Sequence, residues 1–324
     1  MHMKKITSGI LAMLLCFVML AVPGAAAEYL IPVGQVIGLE LADHTVTVAA
    51  LDENFSGAAA KAGLQVGDRI VDIDGRAIRT AEDVKQALTC SKGCISMKIK
   101  RQGQERVLQI APVITAEGPK LGIYLKQGVT GIGTVTWYDP ESGKFGTLGH
   151  GVSDPQGGLV QMVSGRAYHA SVVGVIRGQC GKPGQLQGAV TSAEVLGQLD
   201  KNTAQGVFGA ARDPWQGEAM EVASADEVCV GPAVIRSTVM GTAPRDYSVE
   251  ILKIYPTCKA EGRNLMLKVT DPALLEATGG IVQGMSGSPI IQDGKLVGAV
   301  THVLVNDPTR GYGIFIENML DAAE

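Results

Sequence analysis

The stretch GGIVQGMSGSPIIQ, residues 279–292, sets a serine between two glycines just before a run of residues typical of a β-strand. Glycine adopts positive φ and allows close backbone approach, so such a turn can leave N–H groups unpaired beside the serine hydroxyl. Ser286 is therefore a candidate nucleophile, and the N–H groups of Gly284 and Ser286 are candidate donors to an oxyanion. The same residues also fit an ordinary tight turn that contains a polar residue.

A serine hydroxyl is a poor nucleophile without a neighbouring base, which in proteins is most often histidine. Five histidines are present, and His150 stands in a Gly-His-Gly sequence at the end of a predicted β-hairpin upstream of the serine. A carboxylate that fixes the tautomer of the base would complete a triad. For Asp271, a second interpretation is that Asp-Pro begins a helix. The candidate carboxylates are Asp139, Asp154, Asp246 and Asp271.

The order of elements around the serine resembles that of chymotrypsin-like serine proteases. Their general pattern is GDSGGP followed by GKLxGIVSWG, and this chain has GMSGSP followed by GKLVGAVTHV. The resemblance implies a double β-barrel and predicts a substrate pocket formed by Thr301, His302 and Val303, although simple packing is an alternative for His302. Ser288 is interpreted as structural. Met285 stands where ordinary zymogens carry an aspartate, so that activation route is absent.

The N-terminal part of the chain, residues 33–113, resembles a PDZ domain. The phrase AGLQVGDRIVDIDG is followed by Thr80 with Asp83 three residues later, which predicts a capped helix. A peptide adds to such a domain as an extra strand beside the helix. We expect the groove at Ile37, Gly38, Leu39 and Val84. The alternatives are that the protein's own chain fills the groove, or that the domain only positions its neighbour.

Composition narrows the classes of function. The first 27 residues carry two lysines, an apolar run and Ala25-Ala26-Ala27, which is typical of a secretory signal peptide; an uncleaved membrane anchor is the alternative. The net charge of −4 without basic runs gives little support for nucleic-acid binding. The six cysteines lack the paired spacing of a zinc site, so no metal or other cofactor is expected. Their disulfide pairing stays open.

The whole chain resembles the SpoIVB family of sporulation signalling peptidases. The motifs LIPVGQ, FGTLGHGVSD and VTDPALLEATGGIVQGMSGSPIIQDGKLVGAVTHV carry this resemblance, together with a PDZ domain that precedes the peptidase domain. It implies a mainly β chain with a leader at 1–27, a PDZ domain at 33–113, a linker at 114–120 and a chymotrypsin-like peptidase domain at 121–324. The family's triad falls on His150, Asp271 and Ser286.

What the resemblance implies about function is specific. It implies secretion from the forespore into the space between two membranes, with the leader cleaved or retained as an anchor. There the enzyme would cleave a membrane-associated regulator of an intramembrane protease, so that a late mother-cell sigma factor is processed, and it would also cleave itself. The alternatives are a PDZ scaffold with an inactive protease fold and a quality-control protease of the HtrA type. The cleavage-site preference and the oligomeric state cannot be read from the sequence.

Overall fold

The computed structural model describes residues 28–52, 57–91, 93–154, 157–257 and 262–324. The predicted leader, residues 1–27, lies outside these ranges. Within them the chain is mainly β, as predicted, and no helix has the length and apolar character needed to cross a bilayer. The four cysteines that the structure describes are unpaired and exposed: Cys90, Cys94, Cys180 and Cys229.

Twenty strands and four helices form the described structure. The first ten strands are β1 (Tyr29–Pro32), β2 (Val36–Leu51), β3 (Arg69–Ile73), β4 (Arg76–Ala77), β5 (Ile95–Arg101), β6 (Gln104–Ile110), β7 (Val113–Thr115), β8 (Gly118–Lys120), β9 (Ile123–Tyr138) and β10 (Lys144–Thr147). The remaining strands are β11 (Met162–Ile176), β12 (Gln185–Thr203), β13 (Gly206–Ala211), β14 (Met220–Glu221), β15 (Gly231–Ser237), β16 (Arg245–Ile254), β17 (Leu265–Val269), β18 (Pro289–Gln292), β19 (Lys295–Val303) and β20 (Arg310–Phe315). The helices are α1 (Ala58–Lys61), α2 (Ala81–Cys90), α3 (Pro272–Thr278) and α4 (Ile316–Ala323).

The PDZ unit has its own hydrophobic core beneath the sheet β9-β2-β3-β5-β6. Helix α2 begins at the predicted capping box, where the Thr80 hydroxyl accepts from Asp83 N–H and the Asp83 carboxylate accepts from Thr80 N–H. Its buried face carries Val84, Ala87 and Leu88. The local sequence therefore predicted this helix and its N-terminal cap correctly.

The boundary of the PDZ unit differs from the prediction of 33–113, because β2 and β9 each run through two units. Residues 46–51 of β2 pair with 123–127 of β9 inside the PDZ unit, whereas residues 36–41 pair with 129–134 in the neighbouring barrel. The predicted linker contains the small hairpin of β7 and β8 and leads directly into β9. The first residues of the expected peptidase domain thus complete the PDZ sheet.

Two six-stranded barrels follow the architecture expected of a chymotrypsin-like protease. The first has the order β9-β10-β13-β12-β11-β2 and closes because β2 also pairs with β9. The second is the closed barrel β15-β16-β17-β20-β19-β18. Each encloses a core of buried aliphatic and aromatic side chains. The resemblance therefore predicted the fold class correctly.

The N-terminal segment that begins with β1 ties the two barrels together. Strand β1 pairs with β9 of the first barrel and with β14. The Arg236 guanidinium donates to the Pro32 carbonyl (3.1 Å), and the Thr238 hydroxyl donates to the Gly34 carbonyl (3.0 Å). Residues 29–34 are consequently part of the folded body and contact both barrels.

Gly128 lies where β9 passes from the PDZ unit to the barrel. Its φ is 75°, and a Cβ atom there would clash with the Leu41 carbonyl oxygen. Gly128→Ala should lower the free energy of unfolding by about 2 kcal/mol or more, because it adds left-handed strain to a steric clash. Urea unfolding followed by circular dichroism measures this loss.

Gly131 supplies the matched control, since it lies in the same strand and a Cβ atom there would meet no atom within 4 Å. Gly131→Ala should change the unfolding free energy by less than about 1 kcal/mol. A loss of unfolding free energy at Gly128 no larger than the loss at Gly131 would contradict the clash at the junction.

Candidate active site

The loop that carries Ser286 comes from the second barrel and presses against the first. Gly284 and Gly287 have φ values of 97° and 95°, which produce the sharp turn predicted from the sequence. A Cβ atom at position 287 would clash with the Thr134 carbonyl oxygen and with the backbone of Leu148, both in the first barrel. Glycine at 287 therefore permits the close approach of the two barrels at the nucleophile loop.

Thr134, a fully buried residue of β9, holds this loop. Its N–H donates to the Ser286 carbonyl (3.1 Å), and its hydroxyl donates to the Gly284 carbonyl (2.9 Å). Sequence reasoning did not single out Thr134. The available signal was the alternation Thr-Val-Thr-Trp at 134–137, which places two threonines on one face of a strand.

The carbonyls of the loop are thus engaged, while two of its amides are left open. Neither the Gly284 N–H nor the Ser286 N–H donates a hydrogen bond to any residue that the structure describes. These are the two amides expected to stabilise an oxyanion. The Ser286 hydroxyl donates to the Thr301 carbonyl (2.8 Å).

His150 lies at the end of the β9–β10 hairpin, as predicted, and its Nδ1 is 3.0 Å from the Gly151 carbonyl oxygen. Because a carbonyl only accepts hydrogen bonds, this contact requires the proton on Nδ1 and leaves Nε2 with a free lone pair. Burial lowers the pKa of His150, and the hydrogen bond to Gly151 partly opposes that effect. The imidazole is therefore a neutral group with the tautomer that a general base needs.

His302 on β19 packs against His150, with ring centroids 5.2 Å apart and an interplanar angle of 38°. The buried Nδ1 of His302 has no hydrogen-bond partner among the described residues. Burial, followed by the charges of His150 and Arg263, lowers the pKa of His302 from 6.5 to about 4. His302 consequently stays neutral at the pH at which His150 would act.

His150 and Ser286 meet neighbouring residues of one strand. The Ser286 hydroxyl donates a hydrogen bond to the Thr301 carbonyl, and the His150 ring packs against the ring of His302. No hydrogen bond joins Ser286 to His150 within the part of the chain that the structure describes. The Ser286 hydroxyl is engaged by the Thr301 carbonyl instead.

Asp271 lies elsewhere, as the N-cap of α3. Its carboxylate accepts from the N–H groups of Leu274 (3.0 Å) and Ser248 (3.3 Å), and no hydrogen bond joins it to His150 in the described structure. The helix start predicted from Asp-Pro is present, and the expected contact between Asp271 and His150 is not. Asp139, Asp154 and Asp246 accept hydrogen bonds from their own neighbourhoods.

The predicted substrate pocket needs correction at two of its three residues. A cavity of about 690 Å³ is lined by His150 and His302 together with Leu39, Leu41, Val129, Leu148 and Leu159. Thr301 is buried and donates its hydroxyl to the Gly262 carbonyl (2.7 Å), and Val303 packs against the core of the second barrel. Neighbouring residues of a strand face opposite sides, which separates His302 from both.

The predicted peptide groove is wrong at Ile37, Gly38 and Leu39. These residues of β2 pair with β9 on one edge and with β11 on the other, so no edge is open for an added strand. The sequence placed them in the PDZ unit because they directly precede it, but they belong to the first barrel. Val84 does line a cavity of about 640 Å³, between α2 and residues 121–125.

Two family models match the chain in the order that the fold shows. The model described as SpoIVB peptidase S55 matches residues 117–320, and the PDZ domain model matches residues 56–101. The first match covers more than half of the chain, including His150, Asp271 and Ser286.

Matching relatives carry a different description. The chain is 31% identical over 172 residues to a putative zinc metalloprotease of Rhizobium meliloti, covering 52% of this chain and 43% of that protein. It is 37% identical over 111 residues to a putative zinc metalloprotease of Agrobacterium fabrum, covering 34% and 27%. The chain thus spans less than half the length of these relatives. Within its described ranges, no three or more His, Cys, Asp or Glu side chains are grouped to hold a metal ion.

Substitution of Asp271 separates its role as a helix cap from any catalytic role. Asp271→Ala should lower the free energy of unfolding by about 1 kcal/mol, whereas Asp271→Asn should leave it nearly unchanged because asparagine caps helices equally well. Urea unfolding monitors both variants. An equal loss in the two variants would contradict the cap.

The Asp271→Asn variant then reports on catalysis alone. Loss of an aspartate that orients the base costs about 10⁴ in kcat in a serine protease. The Asp271 carboxylate makes no hydrogen bond to His150 in the described structure. A loss of this size in the peptidase activity of a stable Asp271→Asn protein would therefore show that the carboxylate reaches His150 only after the structure rearranges.

Proposed function

The chain belongs to the SpoIVB peptidase S55 family and is a serine peptidase, and from this premise we propose that it cleaves an extracytoplasmic regulatory protein during sporulation. The observation that carries the catalytic part is the meeting of Ser286, two open amides and the correct tautomer of His150 beside residues 301–302. Open donors beside a nucleophile are the arrangement that stabilises a tetrahedral intermediate.

The proposed chemistry uses Ser286, His150 and the amides of Gly284 and Ser286. Ser286 Oγ attacks the peptide carbonyl carbon while its proton passes to His150 Nε2. The Gly284 and Ser286 amides donate to the oxygen that becomes negative. His150 then returns the proton to the leaving amine, and water repeats the sequence to release the acyl group. The Gly151 carbonyl sets the tautomer, which is the role that the resemblance assigns to Asp271.

The hydroxyl of Ser286 must leave the Thr301 carbonyl before it can reach His150. Strand β19 borders the site, so a substrate backbone N–H pairing with Thr301 would take the same carbonyl and release the hydroxyl. The bond between Ser286 and Thr301 also favours one alternative, a PDZ scaffold whose protease fold is inactive. An active-site variant distinguishes the two functions.

The peptidase is paired with a PDZ domain, which implies a protein substrate and peptide binding. We place the peptide in the cavity between α2 and β9, where residues 123–125 form an edge strand of the PDZ sheet. The N–H groups of Leu121 and Gly122 donate to no described residue, and both residues line this cavity, so we propose that these amides donate to a terminal carboxylate. The β7–β8 hairpin lies along the same cavity, so the protein's own chain forms part of its wall.

The biological setting is carried over from the family. We propose secretion into the space between two membranes, a substrate that regulates an intramembrane protease, and self-cleavage. Because residues 29–34 are built into the two barrels, self-cleavage that preserves the fold falls before Tyr29 or in loops further along the chain. The description as a zinc metalloprotease applies to the relatives and is not carried over to this chain.

Ser286→Ala should abolish self-cleavage and lower peptide-bond hydrolysis by about 10⁴-fold or more, because loss of the nucleophile leaves only binding and the oxyanion donors. Mass spectrometry of the N-terminus of purified protein reads out both leader removal and self-cleavage. Unchanged processing in the variant would remove the main support for an enzyme.

Ser288→Ala is the matched control two residues away. Ser288 is fully buried and donates to the Ser237 hydroxyl (2.9 Å), so its loss should reduce stability by about 1 kcal/mol and leave processing intact.

Peptides with a free C-terminal carboxylate should bind the PDZ groove at least about tenfold more tightly than the same peptides amidated, because only the carboxylate accepts charge-assisted bonds from the loop amides. Fluorescence polarisation measures the two affinities. Lys85→Glu, an exposed change in the groove wall, should weaken the free peptide further by charge repulsion. Equal binding of the two peptide forms would contradict this placement.

A further inference from the structure

His150 has an unusual set of neighbours for a catalytic base. The two groups that act on its pKa are the surrounding protein, through burial, and the Gly151 carbonyl; neither is a carboxylate. The carboxylate of Asp271, the aspartate that the resemblance assigns to the triad, accepts a hydrogen bond as the N-cap of α3. What holds the imidazole in place must therefore be found among the groups that touch its ring.

One hydrogen bond from Nδ1 leaves the ring of His150 free to tilt about that bond. The imidazole of His302 packs against this ring, at 5.2 Å between centroids. Aromatic rings at this distance and at a tilted angle make a favourable contact and exclude water from the face that they cover. His302 thus restricts the tilt that Gly151 does not control.

The chemistry of His302 suits this neighbour. A second cation beside His150 would oppose the imidazolium that forms when the base takes the serine proton. Burial, His150 and the guanidinium of Arg263 disfavour the charged form of His302, and its Nδ1 has no described partner. His302 is therefore a neutral ring at a position where a charged group would hinder catalysis.

We infer that His302 is a positioning residue for His150, which packs on the imidazole, aims Nε2 toward Ser286 and shields it from water. This inference rests on the proposed peptidase function. His302, on β19, is thus a positioning residue, whereas the sequence pattern had predicted that it lines the substrate pocket.

Shielding has a consequence for pH dependence. A base whose charged form is disfavoured by burial stays neutral to lower pH, so the acid limb of the rate profile lies below the ordinary histidine value of 6.5. Removing the His302 ring admits water, raises the pKa of His150 and moves the acid limb to higher pH. Among the described residues, the charged or titratable groups that act on this pair of rings are His302 itself and Arg263.

The test uses full-length protein and a fluorophosphonate probe, which reacts covalently with an activated serine and needs no known substrate. The maximal labelling rate of Ser286 and the probe affinity are measured from pH 4 to 9 for the wild type, His302→Ala, His302→Gln and His302→Phe. Phe keeps a ring without nitrogens, Gln keeps hydrogen-bonding capacity without a ring, and Ala removes both. Peptide mapping identifies the labelled residue.

We expect His302→Ala and His302→Gln to lower the maximal labelling rate about 10- to 100-fold and to shift the acid limb upward, with little change in probe affinity. His302→Phe should restore both the rate and the pH profile. Circular dichroism selects folded variants, and the comparison of Gln with Phe stands even where Ala fails to fold.

Three results would overturn the inference. They are wild-type rates and profiles in both ringless variants, an effect confined to probe affinity, and rescue by Gln but not by Phe. The last would make His302 a hydrogen-bonding group instead of a packing one. A wild-type protein that is not labelled at Ser286 would instead refute the proposed function, and so the two failures are distinguishable.

Discussion

The active site depends on one set of contacts between barrels, in which Thr134 of the first barrel holds the nucleophile loop of the second. Its N–H and hydroxyl take the carbonyls of Ser286 and Gly284. With those carbonyls engaged, the Gly284 and Ser286 amides are left without an acceptor among the described residues. An unpaired buried carbonyl costs about 1–3 kcal/mol, so the loop is held in this orientation.

The two barrels and the PDZ unit are also joined through continuous strands. Strand β9 forms the edge of the PDZ sheet at residues 123–127, bends at Gly128 and then supplies Thr134 to the active site. Strand β2 accompanies it along the same path. The peptide groove and the nucleophile loop are therefore built on a single strand, and the PDZ unit is an extension of the first barrel's sheet.

Local features were predicted well because short-range geometry determines them. The Gly-Met-Ser-Gly turn around Ser286, the capped helix that begins after Thr80 and the helix start at Asp271-Pro272 follow from a few adjacent residues. The peptide groove was predicted wrongly, because whether the edge of β2 at Ile37–Leu39 is open depends on strands more than 80 residues away. The buried side of β19 likewise excluded Thr301 and Val303 from the cavity.

The sequence by itself determined the fold class and the order of the units, and it predicted Ser286 and His150 as the nucleophile and base, because each is indicated by residue types at fixed spacing. Only the tertiary structure decided which groups surround His150, since its neighbours Gly151 and His302 are one residue and 152 residues away in the chain. It also decided between the two sequence interpretations of Asp271, because the fold brings the Ser248 N–H to the carboxylate that caps the helix and gives it no hydrogen bond to His150 among the described residues.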